Sequence, residues 1–253
     1  MNARAIAKRV GLLACRCAAL ASPRRPAVLL YHSVGGEGGV PASAFARQLD
    51  YVVEHFRVVV LSDLPGVLKG AGDSRTAACI TFDDGYRDNV EVALPLLEAR
   101  GVRATFFLIS RLLGSSFPSR GGHPLMDAGD ARELVARGHE VGAHTRTHPR
   151  LTRLDAAGAR REIEGSKAEL EDLLGVAVTS FAYPKGDHSD AVRDAVGNAG
   201  FGVAVTVREG LVGPEPDWLA LPRASARPGE GALAFHCKLH PGIDLYERLV
   251  RRP

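Results

Sequence analysis

Two carboxylates stand side by side in Thr81-Phe82-Asp83-Asp84-Gly85-Tyr86, directly after the apolar run Ala77-Ala78-Cys79-Ile80. Adjacent acids at a strand end repel each other unless something positive holds them. A divalent metal on one would leave the other free as a base, although an Asp-Asp-Gly run is by itself also an ordinary solvated turn. A second cluster reads His144-Thr145-Arg146-Thr147-His148. Imidazoles four residues apart can share one face of a helical turn and offer two nitrogen ligands. The chain has nine histidines, so that spacing carries little alone. His32 follows the apolar Val28-Leu29-Leu30-Tyr31, and the turn-forming Tyr183-Pro184-Lys185-Gly186 follows Phe181-Ala182. What joins the four clusters is their placement, each just past the end of a different apolar segment.

The elements that must position them alternate regularly. Short apolar runs at 28–31, 57–61, 79–82, 104–109, 139–143, 179–182 and 202–207 read as strands. Between them, 44–54, 89–100, 127–137, 155–174 and 189–199 read as helices, several closed by glycine at 101, 138, 175 and 200. Residues 114–124 read as a loop, and 244–251 as a last helix. About seven strand–helix units without a Gly-x-Gly-x-x-Gly turn predict an α/β fold. The expectation is a single-domain, TIM-like, distorted (β/α)7 barrel, with its chemistry at the C-terminal ends of the strands.

Composition sets the outer bounds. The 253 residues are 45% hydrophobic and 24% charged, which excludes a disordered, collagenous or coiled-coil body. No apolar run approaches the roughly 18 residues of a membrane-spanning helix. The net charge is +3, with bases gathered at Arg4, Lys8, Arg9, Arg16, Arg24 and Arg25 and again at Arg248, Arg251 and Arg252. That is no nucleic-acid footprint spread over a face. Residues 1–25 read as a basic, apolar leader, a signal or a membrane-surface helix, and 26–253 as the domain. A cytoplasmic or inner-membrane-peripheral location is favoured over a secreted or periplasmic one, with peripheral membrane contact through the N-terminus. Cys15, Cys17, Cys79 and Cys237 suggest neither a disulfide framework nor a zinc site.

The motifs together resemble those of NodB-homology polysaccharide deacetylases, carbohydrate esterase family four. The Thr81–Tyr86 run is similar to that family's first motif and His144–Leu151 to its second; Phe181-Ala182-Tyr183-Pro184-Lys185-Gly186 resembles the third as one branch carries it. The resemblance implies hydrolysis of N-acetyl or O-acetyl groups on a cell-surface or extracellular polysaccharide. It makes Asp83 the general base, and Asp84, His144 and His148 the ligands of one divalent ion, usually zinc. Ala182 stands where the commonest members carry an arginine that orients the base, and Arg223 in Leu221-Pro222-Arg223 is the candidate replacement. The run Val28 to Val34 resembles a branch whose catalytic histidine comes first, so His32 is expected as the general acid in preference to His236. Lys185, with Pro184 and Tyr183, is expected on the oxyanion and substrate side, and Trp218 in packing or at the rim. The implied partner is an acetylated glycan. Deacylation of a small amide or a lipid-linked sugar, or carbohydrate binding through a vestigial site, are the alternatives on the same fold.

Overall fold

A computed structural model describes residues 25–70, 75–117 and 122–241. The leader up to residue 24 and the expected helix at 244–251 lie outside the described residues.

In chain order the elements are β1 (Ala27–Tyr31), α1 (Ala42–His55), β2 (Arg57–Val58), α2 (Leu64–Lys69), β3 (Ala77–Phe82), α3 (Leu94–Glu98), β4 (Thr105–Leu108), β5 (Ser116–Phe117) and β6 (His123–Pro124). They continue with α4 (Ala128–Ala136), β7 (Glu140–Ala143), α5 (Ala156–Leu174), β8 (Ser180–Ala182), α6 (Asp190–Asn198), β9 (Val203–Glu209), β10 (Leu221–Ser225) and α7 (Ala232–Lys238). Parallel pairing runs β1–β3–β4–β7–β8–β9–β10 and returns to β1, closing a seven-stranded barrel.

The barrel count matches the sequence reading, but its membership does not. The strand expected at 57–61 shrinks to the two residues of β2, which pair with β3 outside the ring. The seventh barrel strand is β10, whose Leu-Pro-Arg-Ala-Ser sequence has too little apolar periodicity to announce a strand. The loop at 114–124 contains the small antiparallel pair β5–β6. The helix expected over 89–100 starts with a π-helical turn, Asn89–Ala93, before α3. Pro95 has no N–H for an α-helical bond, and the chain absorbs the missing donor at that turn.

Strand alternation sorts the core into two layers. Leu29, Tyr31, Ile80, Phe82, Phe106 and Leu108 belong to the outer layer packed by the helices. Val28, Cys79, Phe107, Ala182, Val205 and Leu221 belong to a second cluster that fills the barrel. Residue Gly142 on β7 makes room for one of these: a Cβ there would lie 2.5 Å from the Phe107 ring. Cys79 is fully buried, as its apolar run predicts.

Candidate active site

Period-two alternation along β3 puts Cys79, Thr81 and then Asp83 on one side of the strand. Asp83 extends the ladder, its N–H donating to Tyr31 O at 2.9 Å. Arg223 reaches it from β10. The guanidinium donates to both carboxylate oxygens, Nη1 to Oδ1 at 2.7 Å and Nη2 to Oδ2 at 2.6 Å. Two further donors are engaged: Nη1 with Thr81 Oγ1 at 3.0 Å and Nε with Thr206 O at 2.7 Å. Asp83 is 2% exposed and Arg223 0%, so this fork-on-fork pair is removed from solvent. Burial pushes the Asp83 carboxyl up, but the Arg223 charge and hydrogen bonds outweigh it and hold the group below the usual carboxylate range. The structure thus brings together the acid and the arginine singled out in the sequence.

The next residue turns the other way. Asp84 has φ 71°, a left-handed conformation rare for a side chain other than glycine. Its Oδ1 lies 3.5 Å from His144 Nε2 and 3.3 Å from His148 Nε2. One atom from each of these three residues falls within 4.8 Å of the other two. Asp84 Oδ2 is buried with no hydrogen-bond partner. His144 Nδ1 sits 2.7 Å from Ala182 O, an acceptor, so Nδ1 carries the proton and Nε2 faces Asp84 as the ligand nitrogen. Phe117 of β5 packs edge-on to the His148 ring at 5.1 Å. Burial, helped by the neighbouring His144, pulls the His148 pKa down to about 4, favouring its neutral, metal-binding form. The two histidines do not share a helical turn, as their spacing suggested. They sit on a strand-end loop in which Thr145 (φ 65°) and His148 (φ 62°) are both left-handed.

Alongside lies a cleft of about 840 Å³ lined by His32, Lys185, Glu37, Tyr86, His123 and Arg227, among others. His32, the residue after β1, lines this cleft. His236 is elsewhere: on α7, its ring stacks on Tyr51 of α1 at 3.7 Å. Lys185 is held at φ 60° in the turn after β8. Of the three residues expected on the oxyanion side, two cannot donate there. Pro184 has no N–H, and Tyr183 donates its N–H to Val205 O at 3.1 Å. Tyr183 is also fully buried, with its hydroxyl on Leu219 O at 2.8 Å, so it shapes the turn and is not among the residues lining the cleft. Trp218 is half-buried against the inner cluster, as expected of a packing residue.

Residues 70–204 match the polysaccharide deacetylase family, more than half of the chain. The chain belongs to that family. As a member it is a polysaccharide deacetylase, a hydrolase. Among its relatives, the Bacillus subtilis protein YxkH is 26% identical over 217 residues, covering 84% of this chain and 75% of its own length. The Listeria monocytogenes peptidoglycan-N-acetylglucosamine deacetylase PgdA is 30% identical over 135 residues, covering 53% of this chain and 26% of its own. The fold matches that of the Streptococcus pyogenes deacetylase PplD, solved with acetate, at a TM-score of 0.77 and 22% identity, covering 87% of this chain and all of that one. Deacetylases of this family are metalloenzymes, and the Asp84, His144 and His148 triad is present here.

Several groups that shape this deacetylase site left no trace in the sequence. The carbonyls of Ala182 and Thr206 orient His144 and Arg223, and a backbone oxygen carries no residue-type signal. Thr81 forms part of the first motif, yet only the folded barrel shows its hydroxyl as a second anchor for Arg223. Phe117 came from a segment read as plain loop.

Proposed function

We propose that this deacetylase removes acetyl groups, N-linked first and O-linked second, from sugars of a cell-surface or extracellular polysaccharide, using one divalent ion, zinc before others. The observation that carries the reading is the buried Asp83–Arg223 pair set directly beside the Asp84, His144 and His148 cluster. The donor set fits a metal. Two imidazole nitrogens and one carboxylate converge, His144 is held by Ala182 O, and Asp84 Oδ2 is an orphaned buried oxygen that a cation would satisfy. Three protein ligands leave room for a water, as in catalytic rather than structural sites.

A divalent ion held there supplies a water of lowered pKa and polarises the acetyl carbonyl. Asp83 takes the proton of the attacking water, its carboxylate aimed by both Arg223 nitrogens. Lys185 donates its backbone N–H to the oxyanion that develops on the carbonyl, being the first amide after β8 not excluded by Pro184 or the Tyr183–Val205 bond. His32, from the rim of the cleft, donates a proton to the departing amine. Without that proton the nitrogen would have to depart as a strongly basic amide anion, so the donation matters more for an amide than for an ester. The PgdA relative acts on peptidoglycan N-acetylglucosamine, and that name supports an N-acetylated glycan as the first substrate class to try. Acetate release from a panel of N- and O-acetylated glycans, with and without a chelator, tests the reading. Release from N-acetylated polymers that stops on chelation is expected. No release from any glycan, or release indifferent to chelator, would overturn it.

A further inference from the structure

The loop that carries the two histidines holds itself only in part, His148 N donating to Thr145 Oγ1 at 3.0 Å. Thr145 and His148, both left-handed without being glycine, bracket Arg146 and Thr147. Such a conformation persists only where the surroundings over-determine it. Part of the constraint comes from below: Ser110 N and Arg111 N donate to Thr145 O at 3.2 Å and Arg146 O at 3.1 Å. The amides of Arg146 and Thr147 are taken up by a helix. Glu162 on α5 accepts Arg146 N and Thr147 N with one carboxylate oxygen, both at 2.9 Å, and the Thr147 hydroxyl with the other at 2.8 Å. Two turns further along, Glu169 holds side chains only: Arg146 Nε at 2.9 Å, Arg111 Nε at 3.0 Å and Ser110 Oγ at 2.6 Å. Arg146 lies flat across the helix between them, where a Cβ at Gly165 would come within 2.6 Å of its Cδ.

We infer that Glu162 is a positioning residue for the metal site: its carboxylate on α5 clamps the backbone of the loop and so sets where His148 presents its ring. The inference rests on the metal-site reading above. Three hydrogen bonds to one half-buried carboxylate fix the two residues immediately before His148, so losing them loosens the backbone on which that ligand is mounted and leaves it to the Thr145, Ser110 and Arg111 bonds alone. Groups that orient metal ligands typically influence metal affinity by about 10–100-fold when removed.

The test is Zn²⁺ affinity of the full chain, measured by competition with a chromophoric chelator, with circular dichroism in excess chelator to follow the fold. Glu162→Ala should weaken Zn²⁺ binding about 10–100-fold. Glu162→Asp, which keeps the charge on a shorter arm, should weaken it likewise, and it decides the matter if the alanine variant does not fold. Glu162→Gln should bind close to wild type, because its oxygen can accept both loop amides and its amide can donate to Thr147. Glu169→Ala, which removes no bond to the loop backbone, should also stay close to wild type. A purely structural Glu162 would lower thermal stability and leave the affinity of the folded protein unchanged, and that result overturns the inference. Equal losses in the Glu162 and Glu169 variants would overturn it as well. Wild-type protein that binds no Zn²⁺ would refute the metal reading itself, and the clamp with it.

Discussion

Replacing Arg223 with methionine leaves the Asp83 carboxylate buried without its counter-charge. Four donor contacts disappear at once, two to Asp83 and one each to Thr81 and Thr206, while the side-chain volume is roughly kept. Asp83 is 2% exposed, so water cannot step in freely. Removing one partner of a buried ion pair typically costs about 3–5 kcal/mol. For a chain of this size each kcal/mol moves the melting temperature by roughly 2–4 °C, which predicts a fall of about 6–20 °C at neutral pH. The pH dependence has a definite sign. Arg223 holds the folded Asp83 pKa below the unfolded value of about 3.9, so the stability the pair confers is present above that value and fades as pH falls through the folded pKa. In Arg223→Met burial is opposed only by the more distant His144 and His32, and the pKa rises. The deficit is then greatest at neutral pH and shrinks towards acid, where a protonated Asp83 sheds its charge. The acid limb of kcat/KM should move up in pH for the same reason. Adding Asp83→Asn to Arg223→Met removes the stranded charge, so the double variant should melt above the single one and remain inactive. Thermal melts of the single and double variants across pH supply the assay. A single variant as stable as wild type at neutral pH, or a double variant no more stable than the single, would refute the account of the pair.

The two adjacent acids should separate: Asp83→Asn should retain Zn²⁺ and lose turnover, whereas Asp84→Asn should lose the metal, as read by metal analysis beside acetate release. Equal metal loss in both would mean the roles are misassigned. His32→Ala should slow amide deacetylation by roughly 10²–10⁴-fold and harm a nitrophenyl acetate far less, since that leaving group needs no proton. His236→Ala should be mild on both substrates, because its ring is committed to Tyr51 outside the cleft. Gly142→Ala should destabilise by about 1–3 kcal/mol through overpacking against Phe107, seen as a lower urea midpoint, and an unchanged midpoint would show that the ring has room to move.

The sequence by itself determined the alternation of strands and helices, and hence a parallel barrel with its polar clusters at the strand ends. Helix boundaries marked by local chemistry were equally legible. Asp155 caps α5 with a bond to Gly158 N, and Gly175 closes it in the left-handed conformation, because caps act over a few residues and are written in residue types. What the sequence left undecided were relations across the barrel. Asp83 and Arg223 lie 140 residues apart, and nothing local says that β10, interrupted by Pro222, completes the ring and points its arginine at β3. The two histidines show the same limit from the other side. Their spacing of four suggested a helix face, but the loop is shaped by bonds to Ser110, Arg111 and Glu162 from other elements. Spacing fixes only which residues can meet within one regular element. The left-handed conformations at Asp84, Thr145 and His148 persist only where the surrounding structure over-determines them, and it is those turns that bring the side chains of Asp84, His144 and His148 to one point.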